Sequence, residues 1–268
     1  MPCGGERLAP GPPLGFGRFS ASLDFVSFAR ALIAFAHPDD AEFGSAGTIA
    51  KWINGGTEVV YVCVTDGSAG SNEPGATREE LRRIRRDELL AACETLGVKD
   101  CTFLGWVDGE VEVTLELRRA LTREVRRFRP DVLMAPDPTR FWDEERSYIN
   151  HPDHRAVGVA CMAVVNPDSP TRPQFPELLE EGLEPFEVPN LWIPTWEGDA
   201  DTFVDVSETI DLKIEALRCH KSQIQDMPVE DWIRKRARDR GASGGMEYAE
   251  SFRTFDFRRS HEDREEEE

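Results

Sequence analysis

Residues 31–40 read ALIAFAHPDD, six uncharged apolar residues running into a histidine, a proline and two aspartates. A run this short and continuous marks a strand buried on both faces, the kind found in parallel sheets. The tetrapeptide His37-Pro38-Asp39-Asp40 then lies at a strand's carboxyl end, where open α/β sheets place their ligands. A second run, 131–135 (DVLMA), precedes a second tetrapeptide, His151-Pro152-Asp153-His154. Together the two tetrapeptides hold most of the chain's five histidines, with carboxylates enough to bind a divalent metal and leave an acid and a base beside it. They favour a metal-assisted hydrolase.

The surrounding pattern supports that placement. Strand two is read at 58–64 (EVVYVCV), and a long helix at 77–96 opens on the capping-box pair Thr77 and Glu80. A short strand follows at 101–104. A helix at 114–128 carries Leu115, Leu117, Leu121 and Val125 toward one side, and Pro136 and Pro138 close strand four. This βαβα rhythm, with a first helix through 46–54, predicts an α/β fold: Rossmann-like, with a mostly parallel sheet and helices on both faces. In Rossmann order strands one and four are neighbours, so tetrapeptides more than 100 positions apart in sequence meet over one crevice. Pro152 suits a first helical turn and Asp153 its positive end, so a helix to about 165 brings His151 and His154 to the cleft from one turn. That helix end favours a neutral imidazole, which suits His154 as a ligand; a protonated His151 needs a carboxylate partner. The later third reads as strands at 191–194 and 202–206, a helix at 208–223 and a basic surface helix at 231–240.

Composition narrows the function. The 268 residues carry 40% hydrophobic content, enough for one substantial core, and a formal charge of -19 that opposes nucleic-acid phosphates and anionic membranes. A small neutral or cationic substrate fits better. Six cysteines lack CxxC spacing, and four of them (Cys63, Cys93, Cys101 and Cys161) fall within apolar patterns, which points to a reducing cytoplasm. No window is long and apolar enough to span a membrane. The Gly/Pro-rich residues 1–22 and the acidic 261–268 are expected to be disordered tails around one domain at 23–260. Glycines come too late after strand one for a dinucleotide fingerprint, and Gly67-Ser68-Ala69-Gly70 reads as a flexible turn near the cleft.

On these residues the chain resembles the LmbE/PIG-L family of zinc-dependent N-deacetylases, whose members remove acetyl from N-acetylglucosaminyl groups. The resemblance rests on five ordered segments: AHPDDAEFGSAGTIA (36–50), VTDGSAGS (64–71), TREELRRIRRDELLAAC (77–93), FLGWVDG (103–109) and YINHPDHRAVG (148–158). It is close over about 30–165 and looser beyond. It implies that His37, Asp40 and His154 bind the metal, that Asp39 is the general base, and that His151 is the electrostatic or acid partner, oriented by Asp108. Arg85 matches a substrate-contacting arginine, and Tyr148 a candidate oxyanion donor. Three protein ligands leave zinc an open position for water, whose pKa it lowers to about 7, with Fe2+ fitting the same ligands. Asp39 or His151 delivers the proton to the leaving amine.

Other readings stand beside these. Glu42 either contacts substrate hydroxyls or caps the first helix. Arg85 sits among Arg78, Arg82, Arg83 and Arg86 opposite four acidic residues, a pattern that a solvated salt-bridge face also explains. His220 reads as a helix-end cation, and residues 248–252 (YAESF) as a packing segment or a pocket wall. The expected reaction is removal of N-acetyl from an N-acetylglucosamine-type conjugate. Alternatives are an amidase acting on a thiol conjugate or antibiotic precursor, and a non-catalytic metal-binding protein. The expected partner is a small amino sugar, with a homo-oligomer left open.

Overall fold

The structure, a computed structural model, describes residues 27–144, 147–195, 200–225 and 227–258; the two expected tails lie outside them. Its main sheet has seven strands in the order β3-β2-β1-β4-β7-β9-β8. These are β1 (Arg30–Phe35), β2 (Glu58–Thr65), β3 (Asp100–Trp106), β4 (Val132–Met134), β7 (Asn190–Pro194), β8 (Thr202–Asp205) and β9 (Ala249–Asp256). Strands β3, β2, β1, β4 and β7 run parallel, and β9 pairs antiparallel with both β7 and β8. β1 and β4 are neighbours, Ile33 opposite Met134, as the Rossmann reading requires.

Alternation along β1 divides the core. Ala31, Ile33 and Phe35 join one apolar cluster, while Leu32, Ala34 and Ala36 join the other. The first cluster is covered by α1 (Asp40–Asn54), α2 (Arg78–Leu96), α6 (Ile210–Arg218) and α8 (Val229–Gly244). The second packs under α3 (Leu115–Phe128) and α4 (Pro152–Ala163), the latter continued by a π-type turn, Val164–Asp168. The Thr77 hydroxyl accepts from Glu80 N at 3.2 Å and so caps α2, as its sequence pattern predicts.

Three features depart from the sequence reading. The helix expected at 208–223 breaks after Arg218, and α7 (Lys221–Ile224) starts anew beyond His220. The segment 248–252 enters β9, an antiparallel strand between β7 and β8. A two-stranded hairpin, β5 (Trp142–Asp143) and β6 (Tyr148–Ile149), and a short α5 (Pro176–Glu180) were not anticipated. Strands of two residues and a helix of five are too short for periodicity to register. Among the described residues no helix is long and apolar enough to cross a membrane.

Candidate metal centre and active site

The two tetrapeptides meet. His37 leaves the end of β1, and Asp40 opens α1 and accepts from His37 N at 2.8 Å. His154 comes from the first turn of α4. His37 Nδ1 lies 3.2 Å from His154 Nε2, His154 Nε2 lies 3.1 Å from Asp40 Oδ1, and His37 Nδ1 lies 3.6 Å from Asp40 Oδ2. A tetrahedral ion with ligands at about 2.0–2.2 Å sets its ligand atoms about 3.3–3.6 Å apart. The three separations fall within a few tenths of an ångström of that spacing, the two to Asp40 being made to different oxygens of its carboxylate.

The far side of each ring is also engaged. His37 Nε2 faces Asp108 Oδ1 at 3.1 Å and Asp153 Oδ2 at 3.2 Å, so a bound ion would leave the proton on Nε2 and take the Nδ1 lone pair. Asn150 Nδ2 donates to Arg140 O at 2.9 Å, which leaves Asn150 Oδ1 to accept from His154 Nδ1 at 3.0 Å and aims Nε2 inward. Oxygen acceptors behind ligand imidazoles are the recurrent outer shell of protein metal sites. Without an ion the enclosure acts on protons: burial opposes a charged His37 ring, but Asp108, Asp153 and Asp40 outweigh it and raise the pKa to about 12. Burial also disfavours the Asp40 carboxylate, yet the two rings hold it well below its ordinary range.

His37, Asp108, His151 and Asp153 form a second cluster with ligand-type atoms in reach of one another. It is better described as the support of the first. Asp153 Oδ2 accepts from Gly109 N at 2.8 Å and its Oδ1 from Val111 N at 3.3 Å, while Asp108 Oδ2 accepts from Ala69 N at 3.0 Å. Neither Asp153 nor Asp39 caps its helix: the α4 cap is the His151 ring, whose Nδ1 accepts from Asp153 N, and Asp39 makes no side-chain cap bond.

Asp39 holds a backbone φ of 109°, rare outside glycine, and this turn separates its carboxylate from that of Asp40. Burial lifts its carboxyl to about 6; Asp40 adds to the shift, and Arg85, His220 and His37 oppose it. The His151 side chain is 39% exposed, and burial followed by the neighbouring His37 ring lowers its pKa.

Several expected roles change. Asp108 Oδ1 lies 3.1 Å from His37 Nε2, while beside His151 it is Asp153 whose Oδ2 lies 3.8 Å from Nδ1. Arg85 is 3% exposed, and its guanidinium is taken up by the surrounding loops. Its guanidinium donates to Gly67 O (3.1 Å), Pro38 O (2.5 Å) and Asp39 Oδ2 (3.2 Å), and lies 3.6 Å from Asp108 Oδ2. Gly70 makes room for it, since a Cβ there would sit 2.5 Å from Arg85 Nη1. The loop 67–70 is thus the wall of the Arg85 slot. Glu42 is fully buried, with Oε2 3.1 Å from His220 Nε2, which closes both the hydroxyl and the cap readings. Tyr148, 38% exposed, borders the cleft on β6 and donates to Asn150 Oδ1 at 3.4 Å.

Sequence reasoning missed Asn150, Asp153 as the support of His37, and the segment after His220. Ser222 gives both N and Oγ to Glu88 at 2.7 Å, and Gln223 Nε2 donates to Gly70 O at 3.2 Å. Asn150 had a usable signal, lying four residues before His154. Beside the triangle a cavity of about 130 Å³ runs inward from Asp40 and His154 between β1, β4 and α1.

Comparison with known proteins agrees with this geometry. The model of a family described as PIG-L, GlcNAc-PI de-N-acetylase, matches residues 32–165. Diacetylchitobiose deacetylase of Thermococcus kodakarensis is 32% identical over 239 residues, covering 88% of this chain and 86% of that protein. A probable N-acetyl-alpha-D-glucosaminyl L-malate deacetylase 2 of Bacillus anthracis is 32% identical, over 82% of this chain and 91% of its own. The structure of N,N'-diacetylchitobiose deacetylase from Pyrococcus horikoshii, complexed with its inhibitor, superposes with a TM-score of 0.80 at 32% identity. It covers 89% of this chain and 88% of that one.

Proposed function

Because the chain belongs to the GlcNAc-PI de-N-acetylase (PIG-L) family, we propose that it is a metal-dependent hydrolase removing the N-acetyl group from an N-acetylglucosamine-type amino sugar conjugate. The observation that carries this reading is the convergence of His37 Nδ1, Asp40 and His154 Nε2 on one point, with the uncapped Asp39 carboxylate on the same loop. Two imidazoles and one carboxylate are a donor set suited to Zn2+, and Fe2+ takes the same set. A bound ion supplies Lewis acidity there, polarising the amide carbonyl and acidifying water.

The chain's own groups do the rest. Asp39 takes the proton from the attacking water, and a carboxyl near 6 is well matched to that task at neutral pH. Arg85 fixes Asp39 from behind, so the base does not swing away between turnovers. His151, presented at the start of α4 with Asp153 beneath it, faces the charge that builds on the carbonyl oxygen. As the C–N bond breaks, the leaving nitrogen takes a proton from Asp39 or from His151. Asp108 and Asp153 keep the His37 ring oriented throughout.

Acetate release from diacetylchitobiose and related N-acetylglucosamine conjugates, with and without chelator, tests the proposal. Asp39→Ala is expected to keep its metal and lose at least about 100-fold in turnover, the scale of a positioned general base. His154→Ala is expected to lose the metal itself. Turnover indifferent to chelator and to Asp39→Ala would remove the proposal.

A further inference from the structure

The cavity beside the metal triangle has a chemistry of its own. Its lining mixes polar side chains, Asp40, His154 and Arg140 among them, with Phe35, Phe43, Met134 and Pro194, and the greater part of its exposed wall is apolar. A pyranose carries a hydroxyl on almost every carbon, and walls like these would leave those hydroxyls unpaired at a cost of several kcal/mol. Hydrocarbon is the natural occupant. Apolar cavities of about 150 Å³ hold a benzene molecule, so about 130 Å³ is far more than one methyl group fills. The cavity begins at two of the proposed metal ligands, so a chain attached to a carbonyl held there passes into it.

We propose that this cavity is the acyl pocket of the reaction, and that the enzyme accepts linear N-acyl groups of three to five carbons in preference to acetyl. The inference rests on the deacylation reading above and specifies which acyl groups the site takes. Bond changes match those for acetyl: the oxygen of water bonds to the carbonyl carbon, the C–N bond breaks, the nitrogen gains a proton, and the carboxylate carries its chain out of the cavity.

Gly44 supplies the control. It lines the cavity on α1, and a Cβ built there meets nothing nearer than Pro194 Cβ at 4.0 Å, so a side chain at this position takes up cavity space. Each methylene transferred from water into an apolar cavity is worth about fourfold in kcat/KM.

The experiment compares N-acetyl, N-propanoyl and N-butanoyl glucosamine conjugates of one aglycone on the metal-loaded enzyme. The expected result is a rise of about fifteenfold in kcat/KM from acetyl to butanoyl, about fourfold for each of two methylenes. Gly44→Val is expected to flatten the rise, lowering butanoyl turnover more than acetyl turnover. Inhibition by product carboxylates gives a second reading without any variant: butanoate is expected to inhibit about fifteenfold more tightly than acetate. Acetyl turnover with propanoyl and butanoyl below it, or Gly44→Val acting alike on all three, would overturn the acyl pocket and leave the deacetylase reading standing. No turnover of any N-acyl substrate would overturn both.

Discussion

Replacing Arg85 separates two views of the arginine. As a substrate contact its loss would raise KM and leave stability alone. In the structure its guanidinium is 3% exposed and holds Pro38 O, Gly67 O and the carboxylate of Asp39, with Asp108 3.6 Å away. Arg85→Ala strands two carboxylates and two carbonyls in a buried slot. Breaking one partner of a buried ion pair costs about 3–5 kcal/mol, a large share of the roughly 5–15 kcal/mol that holds a typical domain together. Urea unfolding of metal-free protein should therefore show an unfolding free energy lower by that amount, seen as a lowered midpoint at unchanged slope. With Asp39 released, kcat should fall alongside. Arg85→Lys should restore part of the stability, because an ammonium answers one carboxylate but cannot span both loops as the planar fork does. A variant with wild-type unfolding and a raised KM alone would refute the reasoning and return Arg85 to the substrate.

Three further outcomes are expected. Asn150→Ala removes the acceptor behind His154 Nδ1 and should weaken metal affinity about 10–100-fold, read by chelator competition; unchanged affinity would mean that the ring needs no orienting. His220 lies in a pocket where burial opposes its charge, but the bond to Glu42, aided by Asp39 and Glu88, raises its pKa above the ordinary 6.5. Its contribution to stability is then full below about 6.5 and fades as the pH rises through the folded-state value. The stability gap between wild type and His220→Gln should shrink with rising pH in denaturant titrations, and a widening gap would contradict the sign. Gly158→Ala places a Cβ 2.5 Å from Pro136 O and 2.9 Å from Pro138 N, so overpacking of α4 against the loop after β4 should cost about 1–3 kcal/mol, seen as a lowered Tm.

The central parallel strands were legible because they are apolar on both faces, and topology alone then brought the two tetrapeptides to one cleft. The choice of His37, Asp40 and His154 within them came from the family resemblance. Arg85 was misread although the signal was present: Leu81, Arg85, Leu89, Ala92 and Leu96 recur at helical spacing, and all five are buried. The arginine sits in the middle of an apolar stripe, which a solvated face does not explain. Asp108 was misplaced because a loop residue's direction depends on its turn, and sequence spacing says nothing of that. The pairing of Glu42 with His220 joins residues 178 apart through helix packing, beyond the reach of any local pattern.

The last strand reaches back into the first helix. Glu250 on β9 takes Gly47 N on one oxygen and Thr48 N on the other, and Lys213 of α6 grips both Glu250 and Phe43 O. The helix that starts at the HPDD loop is therefore pinned at its waist by groups made more than 160 residues later. During synthesis the HPDD loop leaves the ribosome well before Lys213 and Glu250, so this brace forms only after both have emerged.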